Sequence, residues 1–270
     1  MLQKIQETAD YIKKRINTRP ATGIILGTGL GNLVTQLTDT LEIPYEQIPN
    51  FPVSTVEGHS GKLIFGKLGS VDVLAMQGRF HYYEGYNMKE VTFPVRVMHA
   101  LGIRNLLVSN ASGGMHPDFE IGDLMIITDH INLFPEHPLR GKNYKELGTR
   151  FPDMSEAYSK DLIEKAKVIA KRNNIRVVEG VYVGTTGPTF ETPAEYKYFH
   201  IIGGDAVGMS TVPEVIVANH AGMKVFGISI ITDLGVQGKI VEVTHEEVQE
   251  IGNKAQPLMT QIMRELVEEI

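Results

Sequence analysis

Short apolar runs suited to buried strands alternate with amphipathic helical stretches along the whole chain, and this alternation limits the fold more than any other feature. Gly23-Ile24-Ile25-Leu26 reads as a buried strand, and Asn105–Ser109, Leu124–Ile127, Val177–Val183 and Val225–Ile231 read as further strands. Leu63-Ile64-Phe65 and Val71–Met76 predict a strand pair around a turn at Gly69-Ser70. Leu2, Ile5, Ala9, Ile12 and Ile16 recur at helical spacing and stop before Pro20. Further helices are expected after Gly31, over Val91–Leu101 with Pro94 near its start, and over Ser155–Arg172, Pro193–Phe199, Val212–His220 and His245–Glu269. The pattern predicts one α/β domain over residues 1–270, with a largely parallel or mixed central sheet. Residues 133–152, rich in Pro, Gly and charge, break the alternation and are expected to form a long functional loop.

Composition removes several classes of function. A formal net charge of -6 with no long basic run argues against binding a nucleic-acid backbone. The absence of Cys excludes disulfides, Cys-zinc sites and a thiol nucleophile, and it fits a reducing cytoplasm. Met1–Glu7 has no apolar signal-peptide core, and no apolar run approaches membrane-spanning length. A soluble cytoplasmic protein is expected.

The segment Met76-Gln77-Gly78-Arg79-Phe80-His81-Tyr82-Tyr83-Glu84-Gly85-Tyr86 concentrates chemistry directly after a strand. Arg79 and His81 share parity, so an extended backbone sends both to one side. A planar fork of donors beside an imidazole suits an anionic, oxygen-rich ligand. Two glycine-rich segments also follow strands, Gly27-Thr28-Gly29-Leu30-Gly31 and Asn110-Ala111-Ser112-Gly113-Gly114. The first opens an expected helix, so its amides suit a phosphate with help from the Thr28 hydroxyl; a ligand-free glycine turn is the bland alternative. In an open α/β sheet, ligands gather beyond the carboxyl ends of strands, so the three segments reinforce one another.

Several motifs fall short. Asn32 and Leu33 break the dinucleotide-binding glycine spacing, which disfavours a nicotinamide dehydrogenase. Gly208-Met209-Ser210-Thr211 lacks the last glycine of a hydrolase elbow, since Val212 stands there. His245-Glu246-Glu247-Val248-Gln249 misses the zinc-helix pattern, and no metal is expected. His99 and His130 have no local partner and are expected to be structural or exposed. Phe190 and Glu191, just before the helix at Pro193, offer a ring to stack on and a carboxylate to accept hydrogen bonds, although a helix N-terminus also attracts a plain acidic residue.

Taken together, the motifs resemble those of the trimeric-type purine nucleoside phosphorylases, a family that includes methylthioadenosine phosphorylase. The resemblance runs through Gly27–Gly31, Ser54-Thr55-Val56-Glu57-Gly58-His59-Ser60-Gly61, Gln77–Gly85, Asn110–Gly114, Arg150-Phe151-Pro152-Asp153-Met154-Ser155, Gly187–Pro193 and Asp205–Val217. It implies a single α/β domain whose mixed central sheet is partly closed into a barrel and flanked by helices, assembled as a homotrimer. The implied reaction is attack of inorganic phosphate, a co-substrate rather than a cofactor, on C1′ of a purine nucleoside. By resemblance, Thr28, His59, Arg79, His81, Ala111 and Ser210 would bind phosphate. Tyr83, Met209 and His245 would contact the ribose, with Phe151 reaching a neighbouring subunit's site. Phe190, Glu191 and Asp233 would bind the base. His81, Glu191, Asp233 and His245 would be the groups nearest the chemistry.

One position departs from the family pattern. Members selective for 6-oxopurines usually carry Asn where this chain has Asp233. An ionised Asp only accepts hydrogen bonds and favours a 6-amino group, whereas Glu191 suits the N1 and 2-amino hydrogens of guanine. Weighting Glu191 more heavily predicts guanosine and inosine as favoured substrates. The rival readings are a methylthioadenosine or adenosine phosphorylase, which Asp233 favours, and a non-catalytic nucleoside-binding protein, which has no use for Arg79, His81 and Ser210.

Overall fold

The computed structural model describes residues 1–27, 31–53 and 61–270. Helix α1 (Leu2–Lys13) buries Ile5, Thr8, Ala9 and Ile12 and turns its charged residues outward, as its spacing predicts. Strand β1 (Thr22–Leu26) is buried at every position. Residues Gly31–Gln36 form a short 3-10 helix in place of the expected α-helix. Strand β2 (Leu37–Pro44) follows; it has no counterpart in the apolar pattern because five consecutive residues of this edge strand face solvent. Strands β3 (Lys62–Leu68) and β4 (Val71–Gln77) pair antiparallel around Gly69-Ser70.

The helix expected over Val91–Leu101 is two pieces, α2 (Met88–Val91) and α3 (Phe93–Leu101), broken at Thr92, whose hydroxyl donates to the Met88 carbonyl at 2.7 Å. Strand β5 (Asn105–Gly114) incorporates the Asn110–Gly114 segment, which is strand and not a loop beyond one. Both of its edges are paired there, by β9 on one side and the short β8 on the other. The remaining elements are β6 (Leu124–Asn132), α4 (Lys160–Arg172), β7 (Val177–Gly184), α5 (Pro193–Ile201), β8 (Ala206–Gly208), α6 (Val212–His220), β9 (Lys224–Leu234) and α7 (His245–Glu268). Helix α4 begins five residues later than the apolar pattern suggests. Helix α7 carries Pro257 in its interior.

Among the described residues, the strands join one sheet in the order β2-β3-β4-β1-β5-β8-β7-β6-β9. A parallel β5–β9 pairing closes the last five of these strands into a barrel and leaves β1, β4, β3 and β2 as an outer wing. The sheet is mixed: β1, β4, β5 and β9 run parallel, whereas β6 is antiparallel to β9 and β8 to β5. The carboxyl ends of β1, β4, β5 and β9 therefore converge on one side. Among the described residues, no helix is long and apolar enough to cross a membrane.

Candidate active site

A cavity of about 610 Å³ opens where those strand ends converge. Residues following β7 and β8, and the first turn of α7, complete its wall. Arg79 and His81, two residues apart, both line it, as their shared parity predicts.

Arg79 is only 1% exposed and held from three directions. Its Nε donates to Glu214 Oε1 at 3.0 Å, and one terminal nitrogen donates to the Ser109 carbonyl at 2.8 Å and Ser210 Oγ at 3.1 Å. Glu214, in the first turn of α6, is itself buried and supplies the counter-charge that a buried guanidinium needs. His81 sits beside Glu84: Nδ1 lies 3.0 Å from Glu84 Oε1, and the His81 backbone N–H donates to the same oxygen at 2.7 Å. A carboxylate only accepts, so Nδ1 carries the proton. Burial pushes the His81 imidazole below its ordinary pKa, against the pull of the Glu84 bond. The Tyr83 ring stacks on His81 with centroids 4.7 Å apart, and burial raises its hydroxyl to about 12.

Ser210 is presented by an unusual turn. Thr211 adopts φ 70° and ψ -55°, and the Val212 N–H donates back to the Ser210 carbonyl at 2.7 Å. This is a γ-turn of the rare, strained hand, centred on a β-branched residue. Buried hydrogen bonds hold it: Asn110 Nδ2 donates to Thr211 Oγ1 at 2.8 Å, and the Ser210 and Thr211 hydroxyls lie 3.1 Å apart. The chain of bonds continues from Asn110 Oδ1 to Ser229 Oγ at 2.5 Å and on to Ser112 Oγ at 2.6 Å. Polar groups from β5, β9 and the start of α6 are thus satisfied together, which offsets the cost of burying them.

Two carboxyls and an exposed aromatic ring, Phe190, line another part of the cavity. Asp233 Oδ2 accepts from the Tyr196 hydroxyl at 2.8 Å, and Oδ1 accepts from the Thr232 hydroxyl at 3.1 Å. Burial raises the Asp233 carboxyl above its ordinary range, with both hydroxyls acting in opposition. Burial lifts Glu191 to about 7, and the charges of Asp233 and Glu195 push the same way. Thr185 Oγ1 lies 3.4 Å from Glu191 Oε1. Met209 and His245 complete the lining, and His245 Nε2 lies 2.9 Å from Gln249 Nε2.

Arg79, His81, Tyr83, Ala111, Phe190, Glu191, Met209, Ser210, Asp233 and His245 all line this one cavity. Thr28 and His59 lie outside the described residues. Phe151 is elsewhere: its ring is 84% exposed beside Arg150, at a second cavity of about 530 Å³. His130 also lines that second cavity, with Nδ1 3.2 Å from the Tyr158 hydroxyl and burial pushing its pKa down to about 4. Among the described residues, no group of three His, Asp or Glu side chains is arranged to hold a metal ion.

Residues 21–268 match the model of the phosphorylase superfamily. Over 97% of its length the chain is 54% identical to purine nucleoside phosphorylase 1 of Geobacillus stearothermophilus, covering 96% of that protein. The chain belongs to the purine nucleoside phosphorylase family. The purine nucleoside phosphorylase of Rattus norvegicus is 47% identical over 98% of the chain and 94% of its own length. The crystal structure of the Schistosoma mansoni family member in complex with adenosine superposes with a TM-score of 0.95 at 42% identity, covering all of this chain and 98% of the other.

Within this family fold, sequence reasoning passed over Glu214, Tyr196, Thr211 and Glu84. Glu214 had a usable signal: it is an acidic residue inside the apolar run Val212-Pro213-Glu214-Val215-Ile216-Val217, where a charge needs a buried partner. Glu84 lies in the singled-out segment three residues after His81. Tyr196 and Thr211 act through partners 37 and 101 residues away, which no local pattern reveals.

Proposed function

We propose that this chain catalyses the reversible phosphorolysis of purine (2′-deoxy)ribonucleosides, yielding free base and (deoxy)ribose 1-phosphate. The observation that carries this reading is the buried Arg79, tethered to Ser210 in the same cavity as Glu191 and Asp233. An anion site and a base-reading site in one enclosure suit a reaction between phosphate and a nucleoside.

In the proposed reaction the C1′–N9 bond breaks with its electron pair passing to the purine, and positive character develops on the sugar ring. A phosphate oxygen beneath C1′ stabilises that charge and forms the new C–O bond. Arg79, His81, Ser210 and the Ala111 amide hold the phosphate, with Thr28 and His59 assigned to the same task by family resemblance. Tyr83, Met209 and His245 orient the ribose. Phe190 stacks on the purine, Glu191 binds its N1 edge, and Asp233 faces N7 and the 6-substituent. Positioning of the reactants contributes on the order of 7–11 kcal/mol, and pre-aimed donors add to it. Phosphate is a co-substrate, and no cofactor or metal enters the scheme.

Glu191 favours guanosine and inosine, because its carboxylate accepts from N1–H and the 2-amino group. The reading further places residues 1–270 as one working domain in a cytoplasmic homotrimer, with the exposed Phe151 entering a neighbouring subunit's site. The deciding experiment assays a purine nucleoside panel with and without orthophosphate. Base release that requires phosphate supports the proposal, and equal release in its absence defeats it. Sedimentation tests the trimer.

A further inference from the structure

Tyr196 is 4% exposed and fills a slot that two glycines leave open. A side chain on Gly235 would run into its ring, and a Cβ on Gly113 would lie 3.1 Å from its hydroxyl. That hydroxyl has one proton, and it donates it to Asp233 Oδ2 at 2.8 Å, while the Thr232 hydroxyl shares its proton between Oδ1 at 3.1 Å and the Ser112 carbonyl at 3.3 Å. Two donors on one buried carboxylate favour its ionised form.

The second carboxyl of this wall, Glu191, also reaches the Tyr196 hydroxyl and lies 3.4 Å from Thr185 Oγ1, but the single Tyr196 proton is already committed to Asp233. The charges on Glu191 and Asp233 oppose each other, so a proton entering this part of the site belongs to the pair. Among the described residues, the groups acting on the pair are Thr185 after β7, Glu195 and Tyr196 on α5, and Thr232 on β9; His245 of α7 lines the same cavity.

Purine chemistry turns this asymmetry into selectivity. A 6-aminopurine offers an acceptor at N1 and donors at its amino group, so it matches protonated Glu191 with ionised Asp233. A 6-oxopurine offers a donor at N1 and an acceptor at O6, so it matches ionised Glu191 with protonated Asp233. Each arrangement contains one proton, placed on opposite partners.

Building on the phosphorylase reading above, we propose that Tyr196 is a specificity-positioning residue: its bond to Asp233 biases the shared proton toward Glu191 and admits 6-aminopurine nucleosides beside the 6-oxo class. Tyr196→Phe keeps the ring in its slot and removes only the hydroxyl, with its bond to Asp233 and its contact to Glu191. The variant is expected to lower kcat/KM for adenosine about tenfold relative to inosine, the size of one lost bond to a charged group, with the KM for phosphate unchanged. The acid limb of its adenosine pH profile is expected to move to higher pH.

An unchanged adenosine-to-inosine ratio, or equal losses on both substrates, overturns the role of Tyr196. Phosphate-independent cleavage, or none, by the wild type defeats the phosphorylase reading instead. Calorimetry on the wild type needs no folded variant: adenine and hypoxanthine, titrated in buffers of different ionisation enthalpy, should take up equal numbers of protons. Unequal uptake refutes the shared proton.

Discussion

Arg96 and His220 meet inside the protein at 2.8 Å, guanidinium to Nδ1, while the other imidazole nitrogen lies 2.8 Å from the Thr149 carbonyl. Arginine only donates, so Nδ1 accepts and Nε2–H donates to Thr149, which fixes a single neutral tautomer. Arg96 also donates to the Leu147 carbonyl at 3.2 Å. Helices α3 and α6 thus grip the backbone that leads to Phe151.

Acid should loosen that grip. Burial and the Arg96 charge push His220 below its ordinary pKa. Its contribution to stability is therefore fully present above the unfolded value of about 6.5 and is lost as pH falls through the lower folded value. Thermal unfolding of wild type should show a fall in Tm below about pH 6.5, and His220→Gln should flatten that fall. Parallel curves for the two proteins would remove His220 from the acid response.

Arg79→Ala should reduce kcat/KM for phosphate by about 10²–10³, because a charged donor is lost from a water-poor site, and should lower Tm because buried Glu214 loses its counter-charge. Near-normal turnover at saturating phosphate would take the anion role away from Arg79.

Replacements of Thr211 separate strain from bonding. Thr211→Val keeps a β-branched residue at positive φ and leaves the Asn110 amide without its partner, costing about 1–3 kcal/mol. Thr211→Gly loses the same bond but relaxes the backbone, so it should be the less destabilised of the two in urea unfolding. The reverse order would rule out strain at this turn.

Asp233→Asn supplies a donor to O6 or N7 without any proton on the carboxyl pair. Its inosine and guanosine turnover should persist at alkaline pH, where the wild type loses the proton that burial holds on the carboxyl pair, and its adenosine turnover should drop. In the wild type guanosine should outpace adenosine; a clear adenosine preference would reverse the weight placed on Glu191. Steady-state kinetics across pH on all three nucleosides decides both points.

Much of this architecture is legible in the sequence, for identifiable reasons. The β3–β4 hairpin, the limits of α6 and the start of α7 follow from apolar runs cut by turn and capping residues, such as Thr244 accepting from the Glu247 N–H. Strand β2 escapes because an edge strand with solvent on both faces carries no apolar alternation. The strand at Asn110–Gly114 escapes because its glycines read as a turn, although barrel closure pairs them on both sides. Arg79 and His81 are found from their donor chemistry directly after a strand and from their shared parity. Glu214, which holds Arg79 in place, lies 135 residues downstream, and only the assembled sheet brings the two together.

Helix α7 is interrupted chemically at Pro257, which lacks the amide that would otherwise bond to the Asn253 carbonyl. The segment beyond it is moored to α4, where Arg172 bonds to Glu265 at 2.9 Å and to Glu269 at 2.7 Å. The segment before it hangs His245 and Val248 over the mouth of the cavity. One missing amide thus makes Pro257 the weakest link of α7, between a first turn that faces the ligand space and a far end fastened to α4.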